Sequence, residues 1–189
     1  MQIVAADIGG THARFALADI QAGQVVSLGE PATFKVAEFA GLESAWRAFG
    51  ATLDQPLPPR AALALATPIH GEVLKMTNNP WVIRPARLAD ELGVERVSLI
   101  NDFAAVAHAV HHCPQSAFDH LCGPDRALPV SGVIAVLGPG TGLGVAYVVR
   151  AGDHYHAVET EGGHIEYAPL DSIEDRLLAH LRGRFTRVS

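Results

Sequence analysis

The sequence predicts an α/β protein with a mixed sheet. Strand-like segments joined by tight turns open the chain, an amphipathic helical segment follows them, and a later apolar strand leads straight into another helical segment. Alternation of strands and helices is typical of α/β folds, and strands joined by tight turns pair antiparallel. We therefore expect a sheet that opens with antiparallel hairpin strands and is flanked by helices.

The opening segment predicts three strands, at residues 2–6, 13–19 and 25–34. Residues 7–11, Asp-Ile-Gly-Gly-Thr, predict a turn between the first two strands, because paired glycines tolerate positive φ angles. Residues 21–24 have the composition of a hairpin turn between the second and third strands.

An amphipathic helix is predicted at residues 37–53, where apolar side chains recur at helical spacing. Pro85 and Gly93 are suited to the first turn and the C-terminal cap of a later helix. In chain order, the elements after the first helix are a buried strand at 61–66, a short strand at 73–76 and a helix at 85–92.

A strand at residues 97–100 ends in Asn101 and Asp102, and a helical segment at 103–111 follows at once. This places a carboxylate at the carboxyl end of a strand, where open α/β sheets bind their ligands. Asn and Asp are also favoured as helix N-caps, and capping alone accounts for one of the two residues. We expect the Asp102 carboxylate to act as a general base.

Residues 113–129 mix proline, glycine and polar side chains and predict a crossover between two domains, residues 1–112 and 113–189. His111 and His112, just before the crossover, are interpreted as a solvated helix end. The second domain is predicted to contain strands at 133–137 and 145–150, a tight turn at 152–153 and a helix at 171–181.

Two turns that contain glycine and threonine echo each other, each between two strands. Backbone N–H groups in such turns form an anion-binding nest, and glycine lets a phosphate approach the backbone closely. Neither turn is a P-loop or a dinucleotide fingerprint, and a pair of ligand-free hairpins is the alternative. The predicted phosphate-binding residues are Gly9, Gly10 and Thr11 in the first turn and Gly138, Gly140 and Thr141 in the second.

Asp7 precedes the first glycine pair directly. A carboxylate in that position orients a hydrated Mg²⁺ through water, because this cation keeps much of its hydration shell. The other interpretation is that Asp7 caps its own turn, and the two interpretations are compatible.

Glu161 and His164 flank a pair of glycines, and this combination suits the binding of vicinal hydroxyl groups. Because glycine pairs break helices, we do not expect these two side chains to share a helical face. A zinc site that adds His154, His156 and Glu166 is a minor alternative, since the dense ligand spacing of zinc motifs is absent. A solvated loop is the other alternative, and we assign no metal ligands.

Composition excludes several classes of protein. The chain has 189 residues, a net charge of −6 and 49% hydrophobic residues, which excludes a basic nucleic-acid footprint. It shows neither a signal peptide nor a membrane-spanning run of roughly 18 apolar residues. Its two cysteines are too few for a disulfide framework. We expect a soluble cytoplasmic protein that binds neither nucleic acid nor membrane.

Taken in order, these motifs resemble those of the bacterial ATP-dependent glucokinases. The resemblance covers nearly the whole chain. The motifs that carry it are residues 7–11 with Arg14, residues 76–79 with Trp81, residues 99–103, residues 138–144 and residues 161–164. In the second of these, Trp81 is predicted either to stack on a sugar ring or to fill the core.

The resemblance implies the ribonuclease H-like fold of hexokinases and actin-like ATPases, with two α/β domains and a cleft. It implies transfer of the γ-phosphoryl group of ATP, with Mg²⁺, to the 6-hydroxyl of glucose. Asp102 would be the general base, and residues 9–11 and 140–141 would face the phosphates. The implied glucose ligands are Asn101, Asp102, Glu161 and His164.

Proteins of this type are much longer than 189 residues. From this difference we expect an N-terminal fragment whose second domain is incomplete and whose own glucose turnover is negligible. Such a chain is expected to expose an apolar patch and to dimerise or aggregate. A non-catalytic sugar-sensing protein of the same superfamily is the alternative function.

Overall fold

The computed structural model describes residues 1–76, 79–140 and 142–189. Thr141, one of the predicted phosphate-binding residues, lies outside the described residues, as do Thr77 and Asn78 of the tryptophan motif. The chain divides into two compact units, Met1–Ala105 and Val106–Ser189.

Unit 1 contains a six-stranded sheet and a separate two-stranded ribbon. Its strands are β1 (Gln2–Ile8), β2 (His12–Gln21), β3 (Gln24–Leu28), β4 (Ala32–Lys35), β5 (Arg60–Leu65), β6 (Leu74–Lys75), β7 (Val82–Ile83) and β8 (Arg96–Asn101). Its helices are α1 (Leu42–Gly50), α2 (Pro85–Leu92) and the start of α3 (Asp102–His112). The six-stranded sheet has the order β3-β2-β1-β5-β8, with β4 also paired to β2, and the ribbon pairs β6 with β7.

The sheet of unit 1 is mixed, as the sequence predicts. β1 pairs antiparallel with β2, whereas β1, β5 and β8 run parallel to one another. Ile8 aligns with Leu65 in the register, and Leu65 aligns with Asn101. Three parallel strands therefore end together at one edge of the sheet.

Two predictions for unit 1 need correction. Residues 25–34 form two strands rather than one, because their antiparallel pairing with β2 is interrupted at residues 29–31, where the Gly29 N–H donates to the Leu17 carbonyl over 2.8 Å and Pro31 has no N–H to donate. Of the predicted helix at 37–53, only α1 is α-helical. It begins after the extended Gly41, where the Ser44 hydroxyl accepts a hydrogen bond from the Gly41 N–H and donates one to the Gly41 carbonyl.

The core of unit 1 is built on aromatic side chains between the sheet and α1. The Phe15 ring stacks on Phe49 with centroids 5.5 Å apart and meets the Trp46 ring edge-on at 6.2 Å. All three side chains are buried. Burial of each contributes on the order of 2–3 kcal/mol, so α1 is held mainly by this contact.

Unit 2 is a three-stranded antiparallel sheet followed by a helix. Its strands are β9 (Ser131–Pro139), β10 (Leu143–Ala151) and β11 (His154–Thr160), and its helix is α4 (Ser172–Arg182). The sequence predicts β9 and β10 with shorter bounds, and it places α4 one residue too early at each end. It misses β11, in which polar and aromatic residues replace the usual apolar alternation.

The two faces of this sheet differ in exposure. One face is buried at Val136, Ala146 and Val148. The opposite face exposes large apolar side chains, namely Val133, Leu137, Leu143, Val149 and Val158. We call this opposite face the apolar face of unit 2.

The last turn of α3 packs on β11 through an aromatic and imidazole cluster. His111 stacks on Tyr155 with ring centroids 3.7 Å apart, and the Tyr155 hydroxyl lies 2.7 Å from His108 Nδ1 and 3.0 Å from His112 Nε2. His111 Nδ1 is buried without a hydrogen-bond partner in the described part of the chain. The interpretation of His111 as a solvated helix end is therefore wrong, because its ring covers Tyr155.

Within the described residues, no helix combines the length and apolar character needed to cross a membrane.

Candidate functional site

The carboxyl edge of the parallel strands in unit 1 gathers the predicted acids. β1 extends through Asp7 and Ile8, so Asp7 is a strand residue and the first glycine turn is confined to residues 9–11. β8 ends at Asn101, and Asp102 is the first residue of α3. The proximity of Asp7 contributes to the pKa of Asp102, so the two carboxylates act on each other electrostatically.

Asn101 is the N-cap of α3. Its Oδ1 accepts hydrogen bonds from the N–H groups of Phe103, at 2.9 Å, and Ala104, at 3.2 Å. Its Nδ2 donates to the Thr67 carbonyl over 3.3 Å. Helix capping therefore accounts for Asn101 but does not account for Asp102.

Asp102 has a pKa above its usual range. Burial is the main cause, and the nearby negative charge of Asp7 adds to it, whereas a hydrogen bond from the Phe103 N–H, at 2.8 Å, opposes it. A carboxylate with a raised pKa is a better proton acceptor near neutral pH. The surroundings of Asp102 therefore favour the protonated form of its carboxyl group.

Asp7 is paired with Arg14, directly opposite on β2. Arg14 Nη1 lies 2.9 Å from Asp7 Oδ2, and each side chain is 51% exposed. Because Asp7 lies in the strand and pairs with Arg14, the turn-capping alternative does not describe it.

The first glycine turn is held by hydrogen bonds on both sides. The Gly9 N–H donates to the His12 carbonyl over 2.9 Å, and the Thr11 carbonyl accepts from the Val36 N–H over 2.9 Å. The Gly9 carbonyl accepts from Asn79 Nδ2 over 3.0 Å. The Thr11 side chain is exposed, and its hydroxyl lies 3.0 Å from His12 Nδ1.

The segment from residue 67 to residue 81 contributes two buried polar side chains, which the sequence analysis missed. Thr67 and Asn79 are 6% and 7% exposed, and the Thr67 hydroxyl donates to the Lys75 carbonyl over 2.9 Å. Trp81 is 2% exposed, and its Nε1–H donates to the Phe39 carbonyl. Trp81 is therefore a core residue and is not available to stack on a sugar ring.

In unit 2 the second glycine turn is shorter than predicted. β9 continues to Pro139, and Gly138 pairs with Gly144 across the hairpin. The Gly140 N–H donates to the Gly142 carbonyl over 2.8 Å. Gly138 is thus a strand residue, and only residues 140–142 connect the two strands.

Glu161 and His164 come together on a short 3₁₀ turn. The turn spans Gly162–His164, and Glu161 Oε2 lies 3.5 Å from His164 Nε2. The expectation that these side chains share no helical face is wrong, because the glycine pair forms a 3₁₀ turn, in which residues three apart eclipse each other. Both side chains are largely exposed.

The 3₁₀ turn is fixed to the first residues of β10. A Cβ atom on Gly163 would lie 1.7 Å from the Leu143 carbonyl oxygen, so only glycine fits there. The Thr160 hydroxyl donates to the Val145 carbonyl over 3.0 Å and accepts from the Gly162 N–H over 3.1 Å. Within unit 2, the Glu161–His164 pair and the second glycine turn are therefore neighbours.

In the described ranges, no three His, Cys, Asp or Glu side chains lie close enough together to hold a metal ion. His154, His156 and Glu166 accordingly do not form a zinc site there.

Comparison with known sequences identifies a family. A family model described as Glucokinase matches residues 4–189. The chain is 61% identical over 189 residues to the glucokinase of Zymomonas mobilis, covering 100% of this chain and 58% of that protein. It is 39% identical over 190 residues to the glucokinase of Paramagnetospirillum magneticum, covering 99% of this chain and 57% of that protein.

Comparison with solved structures agrees. The crystal structure of a glucokinase from an Antarctic psychrotroph superposes with a TM-score of 0.79 at 35% identity, covering 100% of this chain and 58% of that one. The fold is the actin-like ATPase fold of sugar kinases. The chain spans between one half and two thirds of the length of these relatives.

Proposed function

Since this chain belongs to the glucokinase family, we propose that it carries the glucose site and the first phosphate-binding turn of an ATP-dependent glucose kinase. The observation that carries this proposal is the position of Asp102, a half-buried acid with a raised pKa at the edge of the sheet where β1, β5 and β8 end. Ligands of open α/β sheets bind at that edge.

Asp102 is proposed to accept a hydrogen bond from the 6-hydroxyl of glucose and to hold its oxygen in line with the γ-phosphorus of ATP. As the bond from phosphorus to the sugar oxygen forms and the bond to the ADP oxygen breaks, the hydroxyl proton passes to Asp102. The products are glucose 6-phosphate and ADP. The raised pKa of Asp102 favours its role as acceptor.

The first glycine turn is proposed to bind phosphate oxygens. Gly9 is already hydrogen-bonded through its N–H and its carbonyl, which holds the turn in one conformation. The exposed Thr11 hydroxyl is available to a ligand. Gly138, Gly140 and Thr141 are proposed to serve the same purpose in unit 2.

Asp7 suits a hydrated Mg²⁺. It is a half-exposed carboxylate at the same edge, and Arg14 contacts only its Oδ2 at 2.9 Å. Mg²⁺ retains several waters and is bound through one or two carboxylates together with substrate phosphates. When bound, the cation supplies charge neutralisation to the phosphates.

The remaining glucose ligands are proposed to be Asn101, Glu161 and His164. A carboxylate accepts and an imidazole donates or accepts, so the exposed pair Glu161 and His164 can bind vicinal hydroxyls. Asn101 Nδ2 uses one hydrogen for the Thr67 carbonyl and has a second for a ligand.

We further propose a cytoplasmic location, where ATP is available, and self-association through the apolar face of unit 2. Exposed apolar surface of this kind favours association. Light scattering after gel filtration would measure the oligomeric state, and a monomer at high protein concentration would contradict the second proposal.

The test uses two proteins, the 189-residue chain and a chimera in which it replaces the matching part of the Zymomonas mobilis glucokinase. Identity of 61% over this stretch favours a compatible junction. The chimera is expected to form glucose 6-phosphate in a coupled assay, and the 189-residue chain to form almost none. Asp102→Asn in the chimera is expected to lower kcat by about 10²–10⁴-fold while glucose still binds.

Two results would contradict the proposal. A chimera that binds glucose without transferring phosphate would favour the sugar-sensing alternative. Full turnover in the Asp102→Asn chimera would exclude Asp102 as the base.

A further inference from the structure

We propose that Asn79 is a positioning residue for the first glycine turn. This proposal deepens the proposed function and rests on it, because the turn matters only if it binds phosphate. Asn79 lies 70 positions from Gly9 in sequence, and its Nδ2 donates to the Gly9 carbonyl over 3.0 Å. It is one of two buried polar side chains in the part of the chain that the structure describes.

The bond to Gly9 fixes the orientation of the peptide that follows. The Gly9 carbonyl and the Gly10 N–H belong to the same planar unit, so holding one fixes the direction of the other. An N–H group that binds phosphate must point outward from the turn. Asn79 therefore acts on the ligand through the backbone and does not touch it.

Asn79 is itself held by a rigid anchor. Its Oδ1 accepts from the Trp81 N–H over 2.8 Å, and the Trp81 indole N–H donates to the Phe39 carbonyl over 3.1 Å. Trp81 is 2% exposed. The amide is thus fixed at its oxygen, and its nitrogen is directed at Gly9.

The decisive variant is Asn79→Asp, which keeps the acceptor for the Trp81 N–H and removes the donor for Gly9. Asn79→Ala removes both. The matched control is Thr52→Val, which removes the hydrogen bond from the Thr52 hydroxyl to the Phe49 carbonyl at the far end of α1, away from the turn. None of the three substitutions introduces a side chain much larger than the native one.

The first measurement is amide hydrogen exchange in the 189-residue chain. In Asn79→Asp, exchange at Gly9, whose N–H donates to the His12 carbonyl, is expected to rise about tenfold relative to amides of α2. Taking the ratio removes any general loss of stability. Thr52→Val is expected to leave the Gly9 rate unchanged. An unchanged ratio in Asn79→Asp would overturn the proposal.

The second measurement separates positioning from stability in the chimera. Asn79→Asp is expected to raise KM for ATP about tenfold and to leave KM for glucose unchanged. Equal changes in both constants would overturn the proposal. Because hydrogen exchange requires no turnover, it tests whether Asn79 stabilises the turn even if the chimera has no kinase activity. A chimera without kinase activity would contradict the proposed function instead.

Discussion

The two glycine turns have similar sequences but are held by different interactions. The first is held by hydrogen bonds, among them one from the buried amide of Asn79 to the Gly9 carbonyl. The second is followed by a strand whose first residue, Leu143, packs against Gly163 so closely that no side chain fits between them. Substitutions of Asn79 can remove one or both of its hydrogen bonds, whereas a single methyl group added at Gly163 disrupts the close packing on Leu143.

This difference shows that the sequence of a turn does not indicate which other residues stabilise it. In unit 1 the supporting residue lies 70 positions away, and in unit 2 the supporting glycine belongs to another motif, the Glu161–His164 turn. The predictions below test this contrast through the free energy of unfolding.

The largest effect is expected for Gly163→Ala. The new Cβ atom would lie 1.7 Å from the Leu143 oxygen, so the backbone of the 3₁₀ turn must move. We expect a loss of about 3 kcal/mol or more, as for a severe overpacking change. Chemical denaturation monitored in unit 2 measures it.

The control for this change is Gly142→Ala, since no atom lies within 4 Å of the Cβ position there. We expect a change of less than about 0.5 kcal/mol. If both substitutions had equal effects, close packing at Gly163 would not be the support of this region.

Thr160→Val tests the hydrogen bonds that assist this packing. The hydroxyl joins the Val145 carbonyl to the Gly162 N–H, at 3.0 and 3.1 Å. Its removal is expected to cost about 1–2 kcal/mol, less than Gly163→Ala. Thr160→Ser, which keeps the hydroxyl, should recover most of the loss in the same denaturation experiment.

Acid is expected to destabilise unit 2. Burial is the first cause that lowers the pKa of His108 and of His111, and the neighbouring His112 adds to both shifts, as Arg150 does to that of His111. Because the folded state favours neutral imidazole, this contribution is complete above the unfolded pKa of about 6.5 and falls as the pH drops below it. Unfolding of unit 2 between pH 7.5 and 5.5 measures the effect.

Tyr155→Phe is the matched variant for the acid response, because it keeps the ring and removes the hydroxyl that His108 and His112 contact. We expect this variant to show a weaker dependence on pH over the same range. An unchanged dependence would show that burial of the imidazoles, and not their contact with the Tyr155 hydroxyl, causes the acid response.

The smallest effect on stability is expected for Asp102→Asn in unit 1. The raised pKa means that the folded state favours a protonated, uncharged carboxyl, so stability from this group declines as the pH rises above the ordinary value of 3.8. A neutral amide should therefore leave the unfolding free energy at pH 7 unchanged or slightly higher. A clear loss would show that the charge of Asp102 stabilises the fold.

Much of the fold could be predicted from local sequence. Helix α2 begins and ends at the predicted residues, because Pro85 and Gly93 act locally at its ends, with Gly93 at a φ of 68°. Strand ends were placed too early wherever glycine was taken as a turn. Gly138, for example, is paired with Gly144 within the antiparallel ladder of β9 and β10.

The candidate site was predicted in part, since its acids follow recognisable strands and turns. Asn79 could not be found in this way, because its role depends on a contact with a residue far away in sequence. The ambiguity of Trp81 was likewise decided only by tertiary packing, which buries its ring and pairs its indole N–H. Side chains that stabilise a site through tertiary contacts are not marked by any pattern in the neighbouring sequence.

The pairing of Asp7 with Arg14 limits how the length of the β1–β2 hairpin can vary in evolution. The two residues face each other in the register, two rungs from the hairpin end at Gly9. A one-residue slip of either strand would turn its side chains to the opposite face. Insertions and deletions should therefore be rare between Ile8 and Ala13 among relatives, and commoner in the hairpin turn at Ala22 and Gly23 that follows β2.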